Sequence, residues 1–213
     1  MHMETFKDKT LKTQSAVSTV YIDYPCPIKH VYLERTPSQD QKIINFFTEL
    51  KKSGETSTKS NLSGWHSDWK SHKLYPEILN DLVNTIIQYH NCYVCEPRPT
   101  VEKPDFVNPT YNLDAQIWFG EYLPGDRADL HHHSWGTKTS FVYYLDVEKG
   151  GAPLTFKQKK WFNSGNIDFV NSVDLIVHQG MLVMFPGFLD HEVKPTNGKR
   201  YVIAGNINDI SVK

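Results

Sequence analysis

Beyond Tyr111 the chain contains no helical repeat of useful length. Six short runs, AQIWFGEYL, TSFVYYLDV, APLTFKQ, VDLIVHQ, GMLVMFPGF and RYVIAGNI, are dense in aromatic and β-branched residues, and Gly, Pro, Asn and Asp separate them. Runs of this length read as strands. Several of them together must bury their apolar faces against a second sheet or inside a barrel. The pattern predicts a mainly β, α+β chain built on a sandwich or jelly-roll barrel.

The residues before this region read differently. About the first eighteen are polar and expected to fray. TVYIDYPCPIKHVYLERTP reads as extended segments broken by Pro25 and Pro27. Ser38 and Gln41 have capping-box spacing, and Ile43, Ile44, Phe46, Phe47 and Leu50 then suit a short amphipathic helix. After the loop-like KKSGETSTKSNLSG, Pro76 opens a second helix with an apolar stripe of Ile78, Leu79, Leu82, Val83, Ile86 and Ile87. Both helices are expected to pack outside the barrel. With 213 residues and no internal repeat, the expectation is one domain: residues 1–18 flexible, 19–110 a supporting region and 111–213 the core.

Composition excludes some classes of function. A formal net charge of −1 supplies no global field for nucleic acid or an anionic membrane. The longest apolar runs, such as MLVMFPGFL, are too short to span a bilayer, and MHMETFKDKTLKTQSAVSTV lacks the apolar core of a signal peptide. Three cysteines, Cys26, Cys92 and Cys95, argue against a disulfide framework and for a reducing, cytoplasmic setting (host cytoplasm if phage-encoded). Cys92 and Cys95 have Cys-x-x-Cys spacing. With no second pair to complete a zinc tetrahedron, they read as ordinary cysteines in a strand following the helix.

DLHHHSWG holds three consecutive histidines. On a strand, His131 and His133 share a face and His132 points away. Two ligands are too few for a catalytic metal, and the late HEV segment offers a third, His191. In a jelly roll, strands distant in sequence meet at one mouth. Three imidazoles on one face of an ion leave the opposite face open, as in non-haem iron sites, although imidazole suits iron, zinc, copper and nickel alike. Nine residues after His191 stands Arg200, whose planar guanidinium suits a carboxylate held by two parallel hydrogen bonds. A metal beside such an arginine implies a dicarboxylate co-substrate.

These motifs resemble a known family. HEVKPTNGKRYVI is similar to the distal half of the iron(II)/2-oxoglutarate dioxygenase motif, close to its form in prolyl hydroxylases, including those acting on hypoxia-inducible factor. YLPGDRADLHHH followed by SFVYYL resembles the proximal half. GWHS, the H-x-H pair, VYYL and HEV-x-P…R also resemble a group of oxygenases inferred in bacteria and marine phages. The resemblance covers Tyr111 to Asn206, with weaker support from SNLSGWHS. It implies a double-stranded β-helix, Fe(II), O2 and 2-oxoglutarate as a small-molecule co-substrate. It also implies C–H hydroxylation coupled to decarboxylation of 2-oxoglutarate to succinate. Likeness to prolyl hydroxylases makes a protein or peptide residue, proline first, the implied substrate.

Carried over residue by residue, the ligands are His131, His133 and His191. Arg200 binds the far carboxylate of 2-oxoglutarate, and Tyr122 and Tyr144 line its pocket. One departure is plain: most of the superfamily has His-x-Asp or His-x-Glu where this chain has His131-x-His133. Asp129, spaced as Asp-x-His131, is the alternative carboxylate ligand. Trp65 and Trp69, flanking His66 in GWHSDW, read as core residues before walls of a substrate groove. Two rival functions stay open: a cupin-type three-histidine dioxygenase without 2-oxoglutarate, and a non-catalytic jelly-roll module such as a virion component.

Overall fold

The strand-rich half forms two antiparallel sheets in the computed structural model, which describes residues 4–6, 17–21, 27–55, 62–93, 116–133, 137–161 and 167–208. In chain order the elements are β1 (Glu4–Phe6), β2 (Val17–Tyr21), β3 (Pro27–Tyr32), α1 (Pro37–Lys52), β4 (Trp65–His66), α2 (Ser71–Leu74) and α3 (Pro76–Tyr93). There follow β5 (Gln116–Tyr122), β6 (Ala128–His131), β7 (Thr137–Val147), β8 (Leu154–Trp161), β9 (Ile167–Leu175), β10 (Met181–Pro186), β11 (Asp190–Val193) and β12 (Arg200–Asn208). The larger sheet runs β1-β2-β3-β10-β7-β12-β5-β4, and the smaller β6-β11-β8-β9. This is the expected jelly-roll architecture, a double-stranded β-helix with helices on its outside.

Strand alternation divides the larger sheet between two cores. On one face Phe119, Phe141, Tyr143 and Ile203 join Ile43, Phe47, Leu79, Leu82 and Ile86 of the helices. On the other, Tyr122, Tyr144, Val183, Phe185 and Val202 meet Leu154 and Phe156 of the smaller sheet. A sheet covered on both faces needs apolar residues at nearly every position, which is why SFVYYL reads as a continuous run rather than an alternation. The consecutive tyrosines therefore serve opposite faces. Tyr143 donates its hydroxyl to Asp40 Oδ2 of α1 at 2.7 Å. Arg35 binds the other Asp40 oxygen at 2.8 Å and Asp81 of α3 at 2.7 Å, tying both helices to the sheet. Burial, then the Asp40 carboxylate, raises the Tyr143 pKa and keeps the phenol protonated.

Several local expectations change. The capping box forms at Thr36 and Gln39 rather than Ser38 and Gln41, because Pro37 starts the helix and leaves Thr36 as its extended cap. Cys92 belongs to the last turn of α3, not to a strand, since the helix runs past His90 to Tyr93. Cys26 and Cys95 lie outside the described residues. Within the stretch expected to fray, Glu4–Phe6 pairs with β2 in register Glu4↔Thr19, through backbone hydrogen bonds that composition does not reveal; residues 1–3 and 7–16 lie outside the described residues. Among the described residues no helix is long and apolar enough to cross a membrane.

Candidate metal centre

His131 ends β6 and His191 is the second residue of β11. The two stand directly opposite each other in an antiparallel pair, their ring centroids 4.2 Å apart. Each ring is set the same way. Nδ1 of His131 bonds the Asp129 carbonyl at 2.7 Å, and Nδ1 of His191 bonds the Leu189 carbonyl at 2.8 Å. A carbonyl only accepts, so each Nδ1 carries the proton and each Nε2 keeps its lone pair.

His133 arrives differently. β6 has ended at His131, so strand alternation does not align His133 with it. Instead the His133 N–H donates to the Gly187 carbonyl at 2.8 Å, and its ring lies stacked on His191 at 5.2 Å. Ligand atoms of His131, His133 and His191 all fall within 4.8 Å of one another. Burial depresses all three pKa values, with repulsion between the imidazoles adding to it: His131 and His191 are lowered, and His133 falls to about 4. Near neutral pH the cluster holds three uncharged nitrogen donors.

His132 is exposed and bonds the His133 carbonyl through Nδ1 at 2.8 Å, facing away as expected. The Asp129 carboxylate is 61% exposed and pairs with Arg127 Nε at 2.9 Å, outside the cluster.

Arg200 opens β12, opposite Tyr122 in register, and is 2% exposed. Its guanidinium carbon sits 4.4 Å over the Tyr122 ring and 5.5 Å from that of Tyr144. One Nη1 donates to the Ala152 carbonyl at 2.9 Å. Among the described residues, neither Nε nor the buried Tyr144 hydroxyl has a hydrogen-bond partner. Burial raises both phenol pKa values, partly offset by the Arg200 charge, and Tyr144 reaches about 12, so both hydroxyls remain protonated donors. A buried cation with unmet donors around it calls for an anion with several acceptor lone pairs. One cavity is lined by His131, His133, His191, Arg200 and Tyr122 together.

Trp65 and Trp69 separate on folding. Trp65 packs into the helix-side core near Phe119, whereas Trp69 and His66 line the cavity with Trp118. Trp118 carries no motif, and sequence reasoning passed over it. Its signal was its place in β5: two and four residues before Gly120 and Tyr122 on the same face.

Gly187 sits tight against Thr137 beside the anchors of two histidines. A Cβ there would meet the Thr137 carbonyl oxygen at 2.5 Å and its Cγ2 at 2.6 Å. The turn it starts supplies both the Gly187 carbonyl holding His133 and the Leu189 carbonyl holding His191. Gly187→Ala therefore displaces two ligand anchors together. We expect a loss of about 1–3 kcal/mol of stability from overpacking, and metal affinity about 10–100-fold weaker from the lost supports. Thermal denaturation and a metal titration of the variant measure the two effects.

Residues 117–208 match the 2OG-Fe(II) oxygenase superfamily. No curated protein sequence matches the chain. Among solved structures, a Pseudomonas putida prolyl-4-hydroxylase is 13% identical with TM-score 0.52, over 85% of this chain and 92% of that one. A Trichoplax adhaerens prolyl hydroxylase, solved with a hypoxia inducible factor oxygen degradation domain peptide fragment, is 16% identical with TM-score 0.58, over 85% and 83%. The non-heme alpha ketoglutarate dependent epimerase SnoN from nogalamycin biosynthesis is 11% identical with TM-score 0.58, over 85% and 77%. At these identities the likeness is one of fold.

Proposed function

We propose, from the premise that residues 117–208 are a domain of the 2OG-Fe(II) oxygenase superfamily, that this chain hydroxylates a C–H bond using Fe(II), O2 and 2-oxoglutarate, with His131, His133 and His191 as its iron ligands. The observation that carries the reading is Arg200: a buried guanidinium whose Nε has no partner among the described residues, on the same cavity as the three histidines.

Three neutral imidazoles suit a divalent iron, and the Nδ1–H bonds of His131 and His191 leave their Nε2 lone pairs free, so these nitrogens would hold it. The Arg200 donors and the Tyr144 hydroxyl fit one carboxylate, which accepts several hydrogen bonds at once. Tyr122, packed under the guanidinium, limits its movement. When bound, iron and 2-oxoglutarate supply the activation of oxygen and the oxidation of a C–H bond. The chain's own task is to bind, orient and keep dry. Apolar walls from Val142, Leu154, Phe185 and Val202 exclude bulk water and strengthen the Arg200–carboxylate attraction. Two of the compared structures are prolyl hydroxylases, which supports a peptidyl residue, proline first, as substrate.

The test is an anaerobic titration of the full chain with iron(II), with and without 2-oxoglutarate. The expected result is a metal-to-ligand charge-transfer band that needs both additions. Iron binding without that band, and without measurable 2-oxoglutarate affinity, would overturn the reading in favour of a three-histidine oxygenase.

A further inference from the structure

The three histidines are not held alike. His131 and His191 each have a carbonyl on Nδ1, which fixes tautomer and ring rotation together. Among the described residues the His133 ring makes no hydrogen bond, and only its backbone N–H is tied, to Gly187. A terminal imidazole torsion is broad and roughly two-fold, so an untied ring can present either nitrogen. Aromatic rings surround His133 instead. His191 lies nearly parallel to it, with 16° between the planes, and the Trp118 centroid is 6.5 Å away on a plane tilted by 37°.

Trp118 is itself mounted on a rigid stack. Its ring meets Trp69 edge-on at 4.5 Å, and Trp69 packs on the buried His66 ring at 4.8 Å. The backbone carrying these rings is stitched along β5. The Ile117 N–H donates to the Trp69 carbonyl at 2.7 Å, and the Phe119 N–H to Ser67 Oγ at 2.9 Å. Across the same edge the Ser67 N–H donates to the Phe119 carbonyl at 3.0 Å.

We propose that Trp118, backed by Trp69 and His66, is a positioning residue for His133, holding by aromatic packing a ring that no carbonyl of the described residues holds. The inference rests on reading the three histidines as the metal site. It also gives the His-x-His departure a structural consequence. A carboxylate in the second position has two equivalent oxygens and needs no choice of ring face, whereas an imidazole does. Aromatic pairs with centroids about 4.5–7 Å apart favour particular relative orientations, and such contacts restrict a ring.

The test uses Co(II), whose visible absorption reports coordination geometry, titrated into the full-length chain. Trp118→Leu is expected to weaken Co(II) binding about tenfold or more, the scale of lost outer-shell support, and to alter the shape of the band. Trp118→Phe should recover most of the affinity, and Trp69→Leu should show a smaller loss in the same direction. Trp65→Leu is the control: it removes an equal ring from the helix-side core, so it should lower thermal stability and leave Co(II) affinity unchanged. Wild-type affinity and spectrum in Trp118→Leu would overturn the proposal, as would an equal loss in Trp65→Leu. If Trp118→Leu does not fold, unchanged Co(II) affinity in both Trp118→Phe and Trp69→Leu overturns it. Wild-type chain that takes up Co(II) but never 2-oxoglutarate defeats the 2-oxoglutarate reading and leaves this one standing; wild-type chain that takes up no Co(II) defeats both.

Discussion

His131→Ala and His191→Ala are each expected to lose iron(II) binding by more than about 100-fold, because removing an outer-shell support alone costs about 10–100-fold and a ligand is worth more. The two residues face each other across one strand pair and offer preset Nε2 lone pairs, so neither can be replaced by a neighbour. The fold should survive, since both rings stand at a cavity rather than in either hydrophobic cluster. His132→Ala and Asp129→Asn are the matched controls: one side chain faces outward, and the other is paired with Arg127. Anaerobic iron titration and circular dichroism of these four variants and of His133→Ala decide the matter. Loss of iron in Asp129→Asn with retention in His133→Ala would replace the three-histidine set by one containing the carboxylate.

Arg200→Ala should bind iron normally and lose 2-oxoglutarate. Hydrogen bonds to charged groups contribute about 1.5–3 kcal/mol each, so losing the clamp weakens co-substrate binding at least about tenfold. Arg200→Lys should fall between, because a point charge replaces a two-pronged fork. Folding offers a second readout. Ligand at about 100 times its Kd stabilises the native state by about 2.7 kcal/mol, and that gain should vanish in Arg200→Ala. The metal-free chain escapes the large penalty of breaking a buried ion pair, because no described carboxylate pairs with Arg200. Calorimetry and thermal melts of iron-loaded protein, with and without 2-oxoglutarate, test this. Unchanged affinity in Arg200→Ala would sink the clamp.

Much of the architecture was legible in single segments. The β-rich runs after Tyr111 became strands of two sheets, and the stripe from Ile78 to Ile87 became the packing face of α3. The strand expected to carry both His131 and His133 is shorter than anticipated: β6 ends at His131, while β11 carries His191 as an extended segment. Each is only four residues long, too short to show an alternation, and each is extended because its neighbours in the smaller sheet satisfy its backbone.

For the site, residue chemistry nominated the histidines and Arg200, because imidazole clusters and a planar guanidinium at that spacing are chemically specific, and the family resemblance nominated Tyr122 and Tyr144. Alternation along β7 puts the two adjacent tyrosines on opposite faces: Tyr144 packs between the two sheets, and Tyr143 binds Asp40 of α1. Other features came only from the tertiary structure. The carbonyls of Asp129 and Leu189 that set the ligand rings are backbone atoms, which every residue type possesses and no motif can mark. The tie from His133 to Gly187 spans 54 residues, and Trp118 reaches His133 only because β5 of the larger sheet and the residues after β6 of the smaller sheet come together on folding. Side-chain chemistry is written locally in a chain, while ring orientation depends on contacts between segments that meet only when the two sheets close.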